Sequence, residues 1–333
     1  MTDTDNTIRW GILGTARIAE KVGRAIQQAQ GAELVAIASR SADRAARWAA
    51  DHNGLRSYGS YAELVEAPDI DAVYMPLPPH LHLEWTKRCA EQGKHVLSEK
   101  PIATSRSEAQ EMWDVCRHHG VQLMDGVMWL HHPRAARMRQ VIRAGELGTM
   151  RRVTSAFTFN WDPIPESDIR LRREMAGGSL YDLGWYCVGA ALWAFDAIPT
   201  RVFGTARWYN EVDMHFSALL WFAEDRTAAF DSGFDTETRR WLEIAGTKAS
   251  LFCDDFTNPW DPQEPRFCLK NRRGLFAEHS CEPVLQEVRM IEDFCEIVRS
   301  GRLEPRWPEA AIATQHVCDA LEQSARSGRI VEL

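Results

Sequence analysis

The chain has 333 residues, of which 45% are hydrophobic and 26% charged, enough for two domains with substantial cores. A formal net charge of −8 without a basic run excludes nucleic acid or an anionic membrane as the expected partner. No stretch approaches the roughly 20 apolar residues of a membrane span, the polar opening Met1 to Asn6 does not read as a signal peptide, and the eight cysteines lack Cys-x-x-Cys spacing. Reduced thiols in a cytoplasmic protein are the expectation.

Thr7 to Leu13 reads as a strand in which Ile8, Trp10 and Ile12 alternate with Arg9 and Gly11. The chain then turns at Gly14-Thr15-Ala16 and enters a helix with Ile18, Val22, Ala25 and Ile26 at i, i+4, i+7 and i+8. Gly11-Ile12-Leu13-Gly14-Thr15-Ala16 is a relaxed dinucleotide-binding fingerprint with Ala16 in place of the third glycine. Glycine at 11 and 14 lets the backbone turn tightly and lets a pyrophosphate approach the amides. The helix N-terminus, at Arg17 and Ile18, adds unpaired N–H groups and the positive end of a dipole.

A second strand runs from Glu33 to Ala38 and ends in Ser39-Arg40-Ser41, with no carboxylate before Asp43. A carboxylate here would serve the ribose hydroxyls of NAD(H). An arginine and two hydroxyls instead suit a 2′-phosphate and favour NADP(H), with NAD(H) possible. The alternative is a solvated Arg40, with Asp43 or a backbone group at the ribose. A third strand, Asp71 to Met75, ends in Pro76-Leu77-Pro78-Pro79, which takes the chain off the sheet at its ligand-binding carboxyl edge. His80 and His82 follow without a carboxylate or cysteine cluster, so a structural or cofactor-flanking role is expected rather than a metal site. After a helix from Leu83 to Gln92, closed by Gly93, the short run His95-Val96-Leu97 delivers Ser98-Glu99-Lys100-Pro101. A strongly hydrated ammonium at the end of a buried strand is an unusual placement, and reads either as a surface lysine or as a working one.

With these elements in place, Gly11 to Ala19, Tyr74 to Pro78 and Gly93 to Pro101 resemble the glucose-fructose oxidoreductase/inositol dehydrogenase (Gfo/Idh/MocA) family. So does a second signature, Gly177-Gly178-Ser179-Leu180-Tyr181-Asp182-Leu183-Gly184-Trp185-Tyr186. Tyrosine at 186, where inositol-dehydrogenase-like members carry histidine, is closest to the dihydrodiol dehydrogenase/D-xylose dehydrogenase-like branch. The resemblance implies an α/β Rossmann domain (1–128), followed by an α+β substrate-binding and oligomerisation domain (129–333) with a large open, mainly antiparallel sheet. The pattern supports that division. After about residue 128 the βα alternation stops, and Val153 to Trp161, Arg201 to Tyr209, Met214 to Phe222, Arg226 to Ser232 and Arg240 to Ala245 read as strands. Helices are expected at Leu285 to Arg299 and Glu309 to Ser324.

The resemblance also implies that Lys100 and Tyr186 meet a substrate hydroxyl or carbonyl, where hydride and proton must both move. A tyrosine of ordinary pKa, about 10, needs a neighbouring ammonium to work near neutrality. Which of the two moves the proton is open. Asp182, one turn before Tyr186, is expected to orient the substrate or the lysine, and Glu99 to stay near the strand end beside the cofactor. Trp161 and Trp185 are candidates to stack on a sugar ring, and Arg170 or Arg172 to meet a hydroxyl or carboxylate. Two departures, Pro79 for asparagine and Leu130 for arginine, separate the chain from named relatives. The expected activity is hydride transfer between a nicotinamide and a sugar, cyclic polyol or related carbonyl compound. The alternatives are a trans-dihydrodiol-type dehydrogenase, a retained NAD used in glycoside chemistry, or a non-catalytic dinucleotide-binding regulator. Leu219 and Trp221, apolar on the face opposite Leu220 and Phe222, imply a homodimer or homotetramer through the open sheet face.

Overall fold

The computed structural model describes residues 7–333, so the reading of Met1 to Asn6 lies outside the described residues. In chain order the first elements are β1 (Ile8–Leu13), α1 (Arg17–Gln28), β2 (Ala32–Ala38), α2 (Ala42–Asp51), β3 (Arg56–Tyr58) and α3 (Tyr61–Glu66). Then come β4 (Ala72–Met75), α4 (His82–Glu91), β5 (His95–Ser98), α5 (Arg106–His118) and β6 (Leu123–Asp125). The rest comprises α6 (Pro133–Arg143), β7 (Met150–Asn160), α7 (Trp185–Phe195), β8 (Arg201–Tyr209), β9 (Val212–Phe222), β10 (Arg226–Gly233) and β11 (Asp235–Arg239). It closes with β12 (Leu242–Gly246), β13 (Ser250–Cys253), β14 (Arg266–Asn271), β15 (Gly274–Ser280), α8 (Gln286–Arg299), α9 (Arg306–Ser327) and β16 (Val331–Glu332).

The chain forms two compact units. One holds the residues up to Ala103 with Ser107–His131 and Leu285–Ala311; the other holds Thr104–Arg106, His132–Val284 and Ile312–Leu333. The first unit is a parallel sheet in the order β3-β2-β1-β4-β5-β6. Its central strands are apolar on both faces, as a sheet covered on both sides requires: Trp10 and Ile12 of β1 and all of β4 are fully buried. Helix α1 turns Ala19, Val22, Ala25 and Ile26 to this core. Helix α8 returns from far along the chain and adds Met290, Ile291, Phe294 and Cys295 to the same cluster, with Phe294 5.0 Å from Trp10 between ring centroids. A single division at residues 128 and 129 contains no sign of this return.

The second unit is a large sheet in the order β15-β14-β13-β12-β7-β10-β9-β8-β16, with β11 also paired to β7. Its pairings are antiparallel except β7 with β10. In β9 the alternation is regular: Met214, Phe216, Leu220 and Phe222 are buried, while His215, Ser217, Leu219 and Trp221 stay half exposed. Helix α7 is apolar around its circumference and packs against β7, β10 and β12, which explains why its sequence carries no polar stripe. Among the described residues no helix is long and apolar enough to cross a membrane.

Candidate functional site

In the first unit the strand order reverses between β1 and β4, which leaves a crevice outside their carboxyl ends, the place where such sheets bind ligands. Gly14 follows β1 at φ +109°, a conformation that glycine alone adopts easily, and its N–H donates to the Ala38 carbonyl at 2.8 Å. Helix α1 then begins with Ala16 as its N-cap and no side-chain cap, so its first N–H groups are not taken by a cap. Thr15 is half exposed, Ala16 and Arg17 are exposed, and Ile18 packs at the edge of the core. This turn and open helix end fit a pyrophosphate. Gly11 has a different job. It lies inside β1, where a Cβ would come within 2.7 Å of Leu64 Cδ2, so its missing side chain makes room for α3. Gly11→Ala is therefore expected to cost about 1 kcal/mol of stability through overpacking while leaving the NADPH dissociation constant within about twofold. Gly14→Ala should lose both stability and affinity. Denaturant titration and fluorescence titration of the two variants check this.

At the end of β2, Ser39 is buried and its Oγ accepts from Ser41 N at 3.3 Å, while Ser41 caps α2 by accepting from Arg44 N. Both hydroxyl oxygens thus accept hydrogen bonds within the turn. Arg40 between them is exposed.

Across the crevice, Pro76 and Leu77 are buried and Leu77 lies against Gly14. His82, expected beside the cofactor, is fully buried with its ring nitrogens 2.8 Å from the Leu77 carbonyl and 3.0 Å from that of Ile102. Burial lowers its pKa, so the ring is neutral and donates one N–H at a time. It tethers the loop after β4 to the loop after Lys100.

Glu99 is fixed at the end of β5. Its Oε1 accepts from Tyr74 Oη at 2.7 Å, its Oε2 from Lys100 N at 3.2 Å, and Gly126 leaves room for the carboxylate. Tyr74 is the partner that the sequence reading missed; nothing in the pattern of a buried strand marks one hydroxyl as a clamp. Lys94, just before the same strand, shows the structural use of a lysine: it is buried and donates to the Ala67 and Ile70 carbonyls at 2.8 and 2.7 Å. Lys100 remains half exposed.

In the second unit, Gly177 and Gly178 lead into a π-helical turn, Leu180–Gly184, that continues as α7. Asp182 and Tyr186 thus bracket a change of helical pitch rather than one regular turn. Asp182 is buried and accepts from Arg170 Nε at 2.7 Å. Arg170 also faces Asp168 at 3.3 Å, so one guanidinium lies between two carboxylates. Asp182 first, against an opposing desolvation, and then Asp168 raise the arginine's pKa. Arg172 is exposed.

Tyr186 is half exposed, with its ring edge-on to Phe157 at 5.3 Å. Trp161 is half exposed and stacks on Phe234 at 4.3 Å within a cluster that includes Phe159, Leu183 and Met214. Trp185 is 1% exposed and has no face open to a sugar. Cys187 is buried, and that burial pushes its thiol up to about 12, away from thiolate chemistry.

Residues 8–127 match the model of an oxidoreductase family with an NAD-binding Rossmann fold, GFO/IDH/MocA, and residues 135–252 match the GFO/IDH/MocA C-terminal domain. An uncharacterized oxidoreductase of Rhizobium meliloti is 38% identical over 96% of this chain and 98% of its own. The D-xylose 1-dehydrogenase (NADP(+)) 2 of Haloferax volcanii is 35% identical over 97% and 99%. Among solved structures, the 3-ketoreductase KijD10 from Actinomadura kijaniata, in complex with NADP and TDP-benzene, superimposes with a TM-score of 0.89 at 31% identity over 96% of this chain and 98% of that one. NADP in that structure and in the name of the Haloferax enzyme agrees with the expectation drawn from Arg40. With both domain models matched in order, the chain belongs to the GFO/IDH/MocA oxidoreductase family and is an NAD(P)-dependent oxidoreductase.

Proposed function

We propose that the chain interconverts a hydroxyl and a carbonyl on a neutral sugar or cyclic polyol with NADP(H), and that Lys100 and Tyr186 carry the proton. The observation that carries the substrate class is the cluster Asp168–Arg170–Asp182. Its one cation is already balanced by two carboxylates, so it favours groups that donate hydrogen bonds. Hydroxyls do so; a substrate carboxylate would meet net negative charge. This supports a sugar over an acid.

The bound nicotinamide would supply the hydride acceptor or donor. Gly14 and the open first turn of α1 would hold its pyrophosphate and Arg40 its 2′-phosphate. Glu99 accepts from the Lys100 backbone amide at 3.2 Å, and the Lys100 ammonium is the candidate proton carrier. Tyr186 presents a hydroxyl on a ring braced by Phe157. Asp182, steadied by Arg170, would orient the substrate, and Trp161 would offer the exposed part of its ring to a sugar face.

The test is initial-rate absorbance of the purified protein with NADP+ or NAD+ against D-xylose, D-glucose, inositol and a trans-dihydrodiol. Turnover of a sugar or polyol with NADP+ is the expected outcome. Turnover of the dihydrodiol alone would move the chain to that activity. Tight NADPH binding with no turnover of any of them would support the regulator instead.

We also propose a homodimer or homotetramer through the open sheet face. Phe203, Leu219 and Ala229 lie side by side across β8, β9 and β10 and are half exposed. Their area is better covered than left in water. Multi-angle light scattering at micromolar concentration should give two or four chain masses; a monodisperse monomer would defeat this assignment.

A further inference from the structure

We propose that Asp213 is a positioning residue of the oxidoreductase site: it fastens the turn from which Asp182 and Tyr186 project. This rests on the roles proposed for those two residues. Asp213 is the second residue of β9 and only 4% exposed. Its Oδ2 accepts from Ser179 Oγ at 2.6 Å and from Leu180 N at 2.8 Å, at the start of the π-helical turn. Ser179 Oγ also lies 3.2 Å from Ser232 Oγ on β10. Ser179 Oγ thus ties the turn to both β9 and β10, and the Asp213 carboxylate holds the turn at two points.

The glycine pair is held from both sides. A Cβ on Gly178, which sits at φ +106°, would collide with Asp213 Oδ1. On the other side Gly178 N donates to the Arg170 carbonyl at 2.8 Å and Gly177 N to the Arg172 carbonyl at 3.0 Å. A Cβ on Gly177 would lie 2.6 Å from both carbonyl oxygens. The turn is therefore closed between a buried carboxylate and the backbone of Arg170 to Arg172, and the Arg170 side chain completes the circuit on Asp182 at 2.7 Å. Without the Asp213 anchor, the turn, Asp182 and the start of α7 would shift together, and misplacements of about 1 Å can cost roughly 10²-fold in rate.

A carboxylate is a costly choice for this anchor, because burial opposes its charge. Burial pushes Asp213 up to about 7, against the pull of Ser179 Oγ and Leu180 N and with a further push from Glu322. The charged and titratable groups around it come from several elements. Tyr181, Arg173, Glu211, Glu322 and Arg326 line a cavity of about 190 Å³ with it. Tyr181 Oη lies 3.0 Å from Glu322 and 3.1 Å from Asp319 on α9, Glu322 also pairs with Arg326, and buried Cys318 lies on the same helix.

The test is steady-state kinetics of Asp213→Ala, Asp213→Asn and Tyr186→Phe across pH 5.5 to 8.5, with NADP+ and the sugar that the wild type turns over, beside an NADPH titration. The expected result is a kcat lowered roughly 10- to 100-fold in Asp213→Ala with the NADPH dissociation constant within about twofold. Asp213→Asn, which keeps an acceptor oxygen in the same place, should recover most of kcat. Wild-type kcat in Asp213→Ala, or an Asn variant as slow as Ala, would overturn the proposal. If Tyr186→Phe keeps a normal rate, the role proposed for Tyr186 has failed instead, and Lys100 is left as the sole proton carrier. Should Asp213→Ala fail to fold, Ser179→Ala removes the same bond from its other end; a partial loss of kcat supports the anchor and an unchanged kcat overturns it.

Discussion

Lys100→Ala and Tyr186→Phe are each expected to lose about 10²- to 10⁴-fold in kcat, the usual worth of a positioned acid or base, while NADPH still binds. Lys100 is placed by its own backbone amide on Glu99, and Glu99 keeps its bond to Tyr74 when the side chain is cut back. Tyr186→Phe removes one oxygen and keeps the ring that meets Phe157. Neither change opens a core, so thermal unfolding should shift little. Steady-state rates combined with fluorescence titration separate the outcomes. Loss of NADPH affinity in parallel with rate would reassign both residues to cofactor binding. A Tyr186→Phe enzyme of normal rate would leave Lys100 as the sole proton carrier.

Arg40→Asp should weaken NADPH roughly 10- to 100-fold and improve NADH. The magnitude follows from about 1.5–3 kcal/mol for hydrogen bonds to a charged group, at about 1.4 kcal/mol per tenfold. The new carboxylate would repel the 2′-phosphate and accept from the ribose hydroxyls in its place. Because Arg40 is exposed, the wild-type preference for NADPH should also shrink as salt rises, on the scale of a Debye length of about 10 Å at 0.1 M. An unchanged ratio of affinities in the variant would place the 2′-phosphate elsewhere.

What could be read in advance follows the range of the forces involved. Strand and helix periodicity is local, so β1, α1, β2, β4, β9 and α8 fall within a few residues of their expected bounds. The family signatures are local too, and they carried both the fold class and the oxidoreductase class. Gly11 shows where this stops. Both fingerprint glycines look alike in sequence, yet one sets a turn at positive φ and the other clears space for Leu64, a residue about 50 positions on. Ser39 and Ser41 likewise show their bonds into the turn only once the chain has folded.

Helix α8 and Asp213 were illegible for the same reason. An amphipathic stripe says that a helix has a buried face but not which core receives it, and α8 lies against Trp10. Asp213 stands as one more acidic residue before an alternating strand, and only the approach of the Gly177–Leu180 turn makes it a buried acceptor. The π-helical turn between Asp182 and Tyr186 has no compositional mark either. By itself the sequence determined the Rossmann fingerprint, the Glu99-Lys100-Pro101 element, the glycine pair with Asp182 and Tyr186, and the open sheet that follows, because each is written in neighbouring residues. The tertiary structure decided which glycine turns the chain and which makes room for α3, which polar groups bond within the scaffold, and what Arg170 and Asp213 hold, because hydrogen bonds between distant segments and the burial of charge exist only once the chain has folded.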